Sequence, residues 1–326
     1  MREGVNPEKF KDERNVQKFH RIIVPIFIPN SQEEYYKGSF EVVKTCLTSL
    51  SKTINYETTA ITIINNASSP IVTEFLTSCL NLGLIDKLIS YSENRGKVYT
   101  VFAEARGSYE SFITIADADV LFFEGWESAV FDIYKTFPKS GVVSPLPLQN
   151  LAFNKNNSVF FDNFLSNKIR YEKVVSDKDC ELFLKGMGNT ALLKRNNRTY
   201  SWKEKQYFLK KKVNAVLGAG HFVATYRKEV FKANLPFPVW KFKNGFEDLY
   251  LDEPTDKFGW YRLSTSKSFA YHLGNRVDNI SENMTFEGIR KLDKNIFAEI
   301  DTPQKSKVPY SIKKYFFRVL KKFWKL

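Results

Sequence analysis

Residues 111–119 read Ser-Phe-Ile-Thr-Ile-Ala-Asp-Ala-Asp. The stretch from Phe112 to Ala116 is a short, near-continuous apolar run of strand length, the pattern of a strand buried on both faces of a parallel sheet. It ends abruptly at Asp117-Ala118-Asp119. Two carboxylates one residue apart at the end of a buried strand can hold a divalent cation. Mg²⁺ and Mn²⁺ take oxygen ligands and share them with substrate phosphates. The same residues also suit a turn in which Asp side chains cap backbone amides. The rest of the chain decides between the two.

Upstream, apolar runs alternate with helical patterns. Residues 21–28 read as a buried strand, with Pro25 pointing to an edge or a bulge near its end. Phe40, Val43, Cys46, Leu47 and Leu50 fall at helical spacing within 38–52. A second strand is expected over 58–64, running into Asn65-Asn66, and then a helix over 70–82. A third strand is expected over 87–91 and a third helix over 96–106. This order implies parallel pairing with right-handed crossovers, a doubly wound α/β sheet. Ligands of such sheets gather beyond the carboxyl ends of the strands, where strand order reverses. Three polar clusters fall there: Asn65-Asn66, Asn94-Arg95-Gly96-Lys97 and Asp117-Ala118-Asp119. No GxGxxG follows the first strand and no GxxxxGK[ST] occurs, so dinucleotide and P-loop binding are not expected.

Downstream of 147 the alternation fades. Residues 150–212, rich in Asn, Lys and aromatics, read as an insertion that covers a site. Gly218-Ala219-Gly220 then leads into a strand, residues 245–251 open a helix, and 261–273 form a last strand-like run ending near His272. The expected divisions are a charged segment 1–20, a first half 21–147, a second half 148–300 and a tail 301–326.

The 326 residues suffice for a sizeable core, and an aromatic share of 15% argues against disorder. No run of 18 apolar residues occurs and the charged N-terminus lacks an apolar signal segment, so a cytoplasmic location is expected. Cys46, Cys79 and Cys180 are scattered and read as reduced packing residues. The net charge is +13, but eight of the 49 bases lie after residue 301 with no acid, leaving 41 against 36 acids elsewhere. The basic surplus is largely a tail property, which argues against nucleic acid as a partner.

The ordered set Ile23-Val24-Pro25, Ile64-Asn65-Asn66, Asn94-Arg95-Gly96, Asp117-Ala118-Asp119, Gly218-Ala219-Gly220, Glu247-Asp248 and His272 resembles the family 2 glycosyltransferases of the GT-A fold over roughly residues 21–275. The resemblance implies a mixed, mostly parallel, Rossmann-like sheet and an inverting transfer from a nucleotide-diphosphate sugar. It implies that Asp117 and Asp119 bind the donor and, with His272, a divalent metal (Mn²⁺ or Mg²⁺). Pro25, Asn65, Asn66, Asn94 and Gly96 would line the nucleotide site. Asn65-Asn66 stands where the family often has an Asp on the nucleobase, with uridine the default. Asp248 would be the general base, with Glu247 second. The arginine-asparagine motif usual on the third helix is not evident, since that helix reads Tyr99-Thr100-Val101-Phe102.

Each residue also has a plainer reading. Glu247-Asp248 suits a helix N-terminus, His272 and His221 suit the core, and Trp240 and Trp260 suit either a sugar ring or the core. Residues 309–326 carry Ile312, Phe316, Leu320 and Phe323 on one helical face, with Val319 beside them and lysines opposite. That pattern fits a helix lying on an anionic membrane surface, in keeping with a lipid-linked saccharide acceptor at the inner face of the cell membrane, or a helix packed on the domain. A sugar-nucleotide pyrophosphorylase is the rival enzyme, and a membrane-bound scaffold with a degenerate core is the rival non-enzyme. The first would carry a glycine-rich loop where Pro25-Ile26-Phe27-Ile28 stands.

Overall fold

A computed structural model describes residues 3–10, 18–166, 168–188, 202–243, 246–286 and 292–323. In chain order these form β1 (His20–Ile26), α1 (Ser39–Thr53), β2 (Thr59–Asn66), α2 (Pro70–Asn81), β3 (Lys87–Tyr91), α3 (Lys97–Gly107), β4 (Phe112–Ala116) and β5 (Val120–Phe122). There follow α4 (Trp126–Thr136), β6 (Ser140–Ser144), α5 (Asn157–Asn163), β7 (Ile169–Glu172), α6 (Asp177–Gly186), β8 (Gln206–Lys210), β9 (Asn214–Leu217) and β10 (Val223–Arg227). The chain closes with α7 (Glu253–Lys257), β11 (Tyr261–Thr265), β12 (Ala270–His272), α8 (Asn279–Glu282) and α9 (Tyr310–Phe323).

Among the described residues, ten strands form one sheet in the order β3-β2-β1-β4-β10-β6-β11-β9-β8-β7, and β5 and β12 form a separate two-stranded sheet. The pairings leave seven of the ten strands (β1, β2, β3, β4, β6, β8 and β11) pointing one way. The sheet is mixed and mostly parallel, as the sequence implies. Helices cover both faces. Ile22, Val24 and Ile26 of β1 pack with α1 and α2, through residues such as Cys46, Leu50, Val72 and Leu76. Ile23, Ile64 and Ile115 pack on the other face against Val98, Val101 and Phe102 of α3. Each such aliphatic side chain contributes about 1.5–3 kcal/mol on burial.

The β1, β2 and β3 run builds outward in one direction, and β4 then adds on the opposite side of β1. Strand order reverses there, so a crevice opens beyond the carboxyl ends of β1 and β4.

Several expectations are revised. β1 ends at Ile26, and Pro25 lies in a central strand, not at an edge. β1 pairs with β4 only as far as Ile23↔Ile115, so Pro25, which has no N–H, sits past the last ladder bond on that side. The run 261–273 is two strands in two sheets, separated by a turn at Ser266-Lys267-Ser268 whose Thr265 hydroxyl donates to Lys267 O at 2.7 Å. Residues 150–212 extend the main sheet through β7 and β8, and their Cys180, Phe183, Trp202 and Phe208 join its core. Residues 248–252 form a π-helical turn followed by α7, while Gly245, expected to open that helix, lies outside the described residues. Trp260 is buried, with its indole N–H on Gln304 O at 3.3 Å, which makes it a core residue. His20 is likewise internal, between Glu127 and Thr114. All three cysteines are buried and free.

The tail helix packs on the domain. Lys313, Phe317 and Leu320 of α9 are buried, and the Phe317 ring stacks on Phe160 of α5 at 4.7 Å. Tyr310 OH donates to Asp256 at 3.0 Å, and Lys313 Nζ reaches Ser158 Oγ at 3.3 Å. Phe316 and Leu320, assigned from sequence to a membrane-facing stripe, are therefore turned at least partly inward. Ile312, Tyr315 and Phe323 stay exposed. Among the described residues no helix is long and apolar enough to cross a membrane.

Candidate active site

The crevice at the switch point is a cleft of about 860 Å³. Of the residues expected from sequence, Pro25, Asn66, Asn94, Gly96, Asp117, Asp119, Glu247 and His272 line it. Asn65 and Asp248 do not.

The two asparagines separate because successive strand residues face opposite sides. Asn65 spends its amide on the turn into α2, donating to Thr73 Oγ1 at 2.8 Å and accepting from Ser68 N at 2.9 Å. Asn66 faces the cleft side. It donates to Asn94 Oδ1 at 2.7 Å and accepts from Arg95 N at 2.9 Å, which ties the end of β2 to the loop after β3. Asn94 Oδ1 also accepts from Gly96 N. Gly96 sits at φ +78, where a Cβ would meet Lys241 O at 2.8 Å, so glycine is required on both counts.

Asp117 follows β4 directly, and its amide donates to Phe222 O at 2.7 Å. Its carboxylate pairs with Lys97 Nζ, at the first residue of α3, while keeping 29% of the side-chain surface open. Burial raises its pKa above the usual carboxylate value and the neighbouring Asp119 adds to this, against the pull of Lys97. Asp119 meets His272 because β5 and β12 pair with Val120 opposite His272, and Leu273 N donates to Asp119 O at 2.8 Å. His272 Nε2 lies 3.3 Å from Asp119 Oδ2, and Nδ1 lies 2.9 Å from Gly186 O. Gly186 O can only accept, so Nδ1 carries a proton, while Nε2 donates to Asp119 when the ring is charged and otherwise keeps its lone pair. Burial opposes that charge, but the Asp119 carboxylate and the Gly186 carbonyl outweigh it and raise the pKa of His272.

Among the described residues no cluster of three or more His, Cys, Asp and Glu side chains is disposed to hold an ion. Asp119 Oδ1, however, is buried without a hydrogen-bond partner among them. An orphaned carboxylate oxygen beside a second carboxylate fits a hard cation that completes its shell with substrate phosphate oxygens. His272, with Nδ1 held by the Gly186 carbonyl, turns Nε2 toward the same carboxylate, where it can steady Asp119 or join it on an ion.

Asp248 is exposed and stands on the π-helical turn beside Asp252. Burial and the neighbouring Asp252 carboxyl raise its pKa, against Lys155 and His221. Asp252 is buried, with Oδ1 2.8 Å from Arg262 Nη1 and Oδ2 3.1 Å from His221 Nδ1. Burial alone would raise Asp252, but Arg262 and His221 hold it well below the usual carboxylate range. A π-turn places side chains where an α-helix would not, and such turns recur at functional sites. Lys241, Asp252 and Arg262 were not singled out from the sequence, and Lys97 was named there only as the last member of a polar cluster, with no role. The signal for Lys97 was its place directly after the glycine of a strand–helix junction; the other three left none.

No protein-family model matches the chain. No curated protein matches it either. Among solved structures it resembles residues 1–349 of S. aureus TarS, at 11% identity and a TM-score of 0.45 over 78% of this chain and 60% of that one. It also resembles the mannosyltransferase PcManGT from Pyrobaculum calidifontis in complex with GDP-Man and Mn²⁺, at 13% identity and a TM-score of 0.42 over 80% and 59%. A third similar structure is TarS 1–349 in complex with UDP-GlcNAc, at 11% identity and a TM-score of 0.44 over 82% and 62%. The matched portions are thus about three-fifths of those chains.

Proposed function

We propose that the chain is a glycosyltransferase that moves a sugar from a nucleotide-diphosphate donor, UDP-linked by default, to a hydroxyl of a saccharide or lipid-linked saccharide. The observation that carries this is the meeting of Asp117, Asp119, Asn66, Asn94 and Glu247 in one cleft at the topological switch point. The diphosphate lies toward Asp117 and Asp119, the nucleoside toward Pro25 and Asn66, and the acceptor toward Glu247 and Asp248. Residues 148–300 form the acceptor half of this division, and 21–147 the donor half.

Transfer builds positive charge at the anomeric carbon and negative charge on the departing diphosphate. A bound Mn²⁺ or Mg²⁺ would neutralise that leaving group, held by Asp119 and Asp117. Asp248 takes the proton of the attacking hydroxyl, a contribution of about 10²–10⁴ in rate. Its raised proton affinity, produced by burial and the neighbouring Asp252 carboxyl, suits it to that task. Glu247, inside the cleft, is the second candidate. One in-line displacement with a single base inverts the anomeric carbon. The exposed face of α9 holds the enzyme at the cytoplasmic surface of a membrane, near lipid-linked acceptors in surface-polysaccharide assembly.

Asp248→Asn is expected to abolish transfer, measured as UDP release with acceptor present, while calorimetric donor affinity stays within about threefold of wild type. A base must be ionised, so the acid limb of the wild-type pH–rate profile should fall above the ordinary Asp value of about 3.9. Loss of donor binding in step with activity would refute the base assignment.

A further inference from the structure

Each acid at the end of β4 has a basic partner in the chain itself: His272 beside Asp119, and the Lys97 ammonium on Asp117. Among the described residues lining the cleft the lysines are Lys97 and Lys241, and Lys241 has its ammonium over the Phe246 ring at 4.3 Å. Lys97 alone of the two reaches the acids. It stands at the first position of α3, and its side chain is 24% exposed. Its other contact is weak, a hydrogen bond to His221 O at 3.5 Å. A lysine is a compact charge on a flexible stem, so it can exchange one oxygen anion for another a few ångströms away.

We propose that Lys97 binds the donor's diphosphate by exchanging partners: its ammonium passes from Asp117 to a phosphate oxygen of the incoming nucleotide, releasing Asp117 to a divalent cation. This rests on the glycosyltransferase reading. It follows that a dication alone meets an Asp117 already neutralised and binds weakly, whereas nucleotide and dication together assist each other. Such coupling is reciprocal between the two ligands. The helix N-terminus adds to the pull on phosphate but does not carry the exchange.

The test uses the full chain as wild type, Lys97→Met and Lys97→Arg. UDP is titrated calorimetrically in EDTA and again with Mn²⁺, and Mn²⁺ alone is followed by electron paramagnetic resonance. Losing a charge-assisted contact should weaken metal-free UDP binding about tenfold in Lys97→Met, with most of it restored in Lys97→Arg. Mn²⁺ alone should bind Lys97→Met about tenfold more tightly than wild type, since Asp117 is no longer occupied. Unchanged UDP affinity in EDTA, or Mn²⁺ binding no tighter in Lys97→Met, overturns the exchange. If all three proteins bind UDP with Mn²⁺ alike, only the role of Lys97 falls. If wild type binds no nucleoside diphosphate under any condition, the transferase reading falls with it.

Discussion

A buried carboxylate persists only where its charge is matched, and Asp252 shows how much rests on one such match. Its oxygens meet Arg262 Nη1 and His221 Nδ1, and the Arg262 side chain is fully buried. Asp252→Asn leaves that guanidinium without a counter-ion and should cost about 3–5 kcal/mol in urea unfolding at neutral pH. Because the folded-state pKa is depressed, the contribution is full above the unfolded value of about 3.9 and fades as pH falls toward the folded one. Wild type should therefore lose stability more steeply below about pH 5 than Asp252→Asn does. Parallel acid slopes would count against the pairing. The residues legible in the sequence were those whose signal is position: Asp117, Asp119 and Asn94 at strand ends, Glu247 and His272 in their order along the chain. Asp252 and Arg262 were not legible, because a buried ion pair is a fact of contact. In the sequence Asp252 is one more acid between Leu251 and Glu253. Strand periodicity contained the means to separate Asn65 from Asn66, since only one of two successive residues can face a given side.

Among elements, β1 to β4 and α1 to α3 were readable because each buries a long, regular apolar pattern. β7 and β8 were not: they are short antiparallel strands of mixed composition, and their pairing is set by the sheet edge they join. The split between β11 and β12 turned on three polar residues that do not interrupt the strand pattern strongly. For α9 the amphipathic pattern correctly announced a buried face but not its partner. Because α9 covers Phe160, deleting residues 309–326 would disturb the core as well as any membrane contact. Substituting the outward residues avoids this. Ile312→Asp combined with Phe323→Asp should leave the melting temperature within about 2 °C of wild type, as exposed positions usually do. The same pair should largely abolish co-sedimentation with vesicles containing phosphatidylglycerol. Undiminished sedimentation would remove α9 as the membrane contact.

At the scale of the whole molecule, one sheet reversal sets the location of the chemistry. Strands added on either side of β1 leave a crevice at their carboxyl ends, and the chain's acids, asparagines and helix start are delivered there by strand length alone. On the proposed function, Asp117 and Asp119 hold a nucleotide diphosphate in that cleft. The most direct measurement is thermal unfolding of wild type and Asp119→Asn with UDP, GDP and their sugars, each with and without Mn²⁺. A ligand at about one hundred times its Kd stabilises a fold by about 2.7 kcal/mol, a shift of a few degrees for a chain of this size. The expected result is stabilisation of wild type by at least one of these nucleotides, enhanced by Mn²⁺ and lost in Asp119→Asn. No shift with any of them, or an equal shift in Asp119→Asn, would contradict the account.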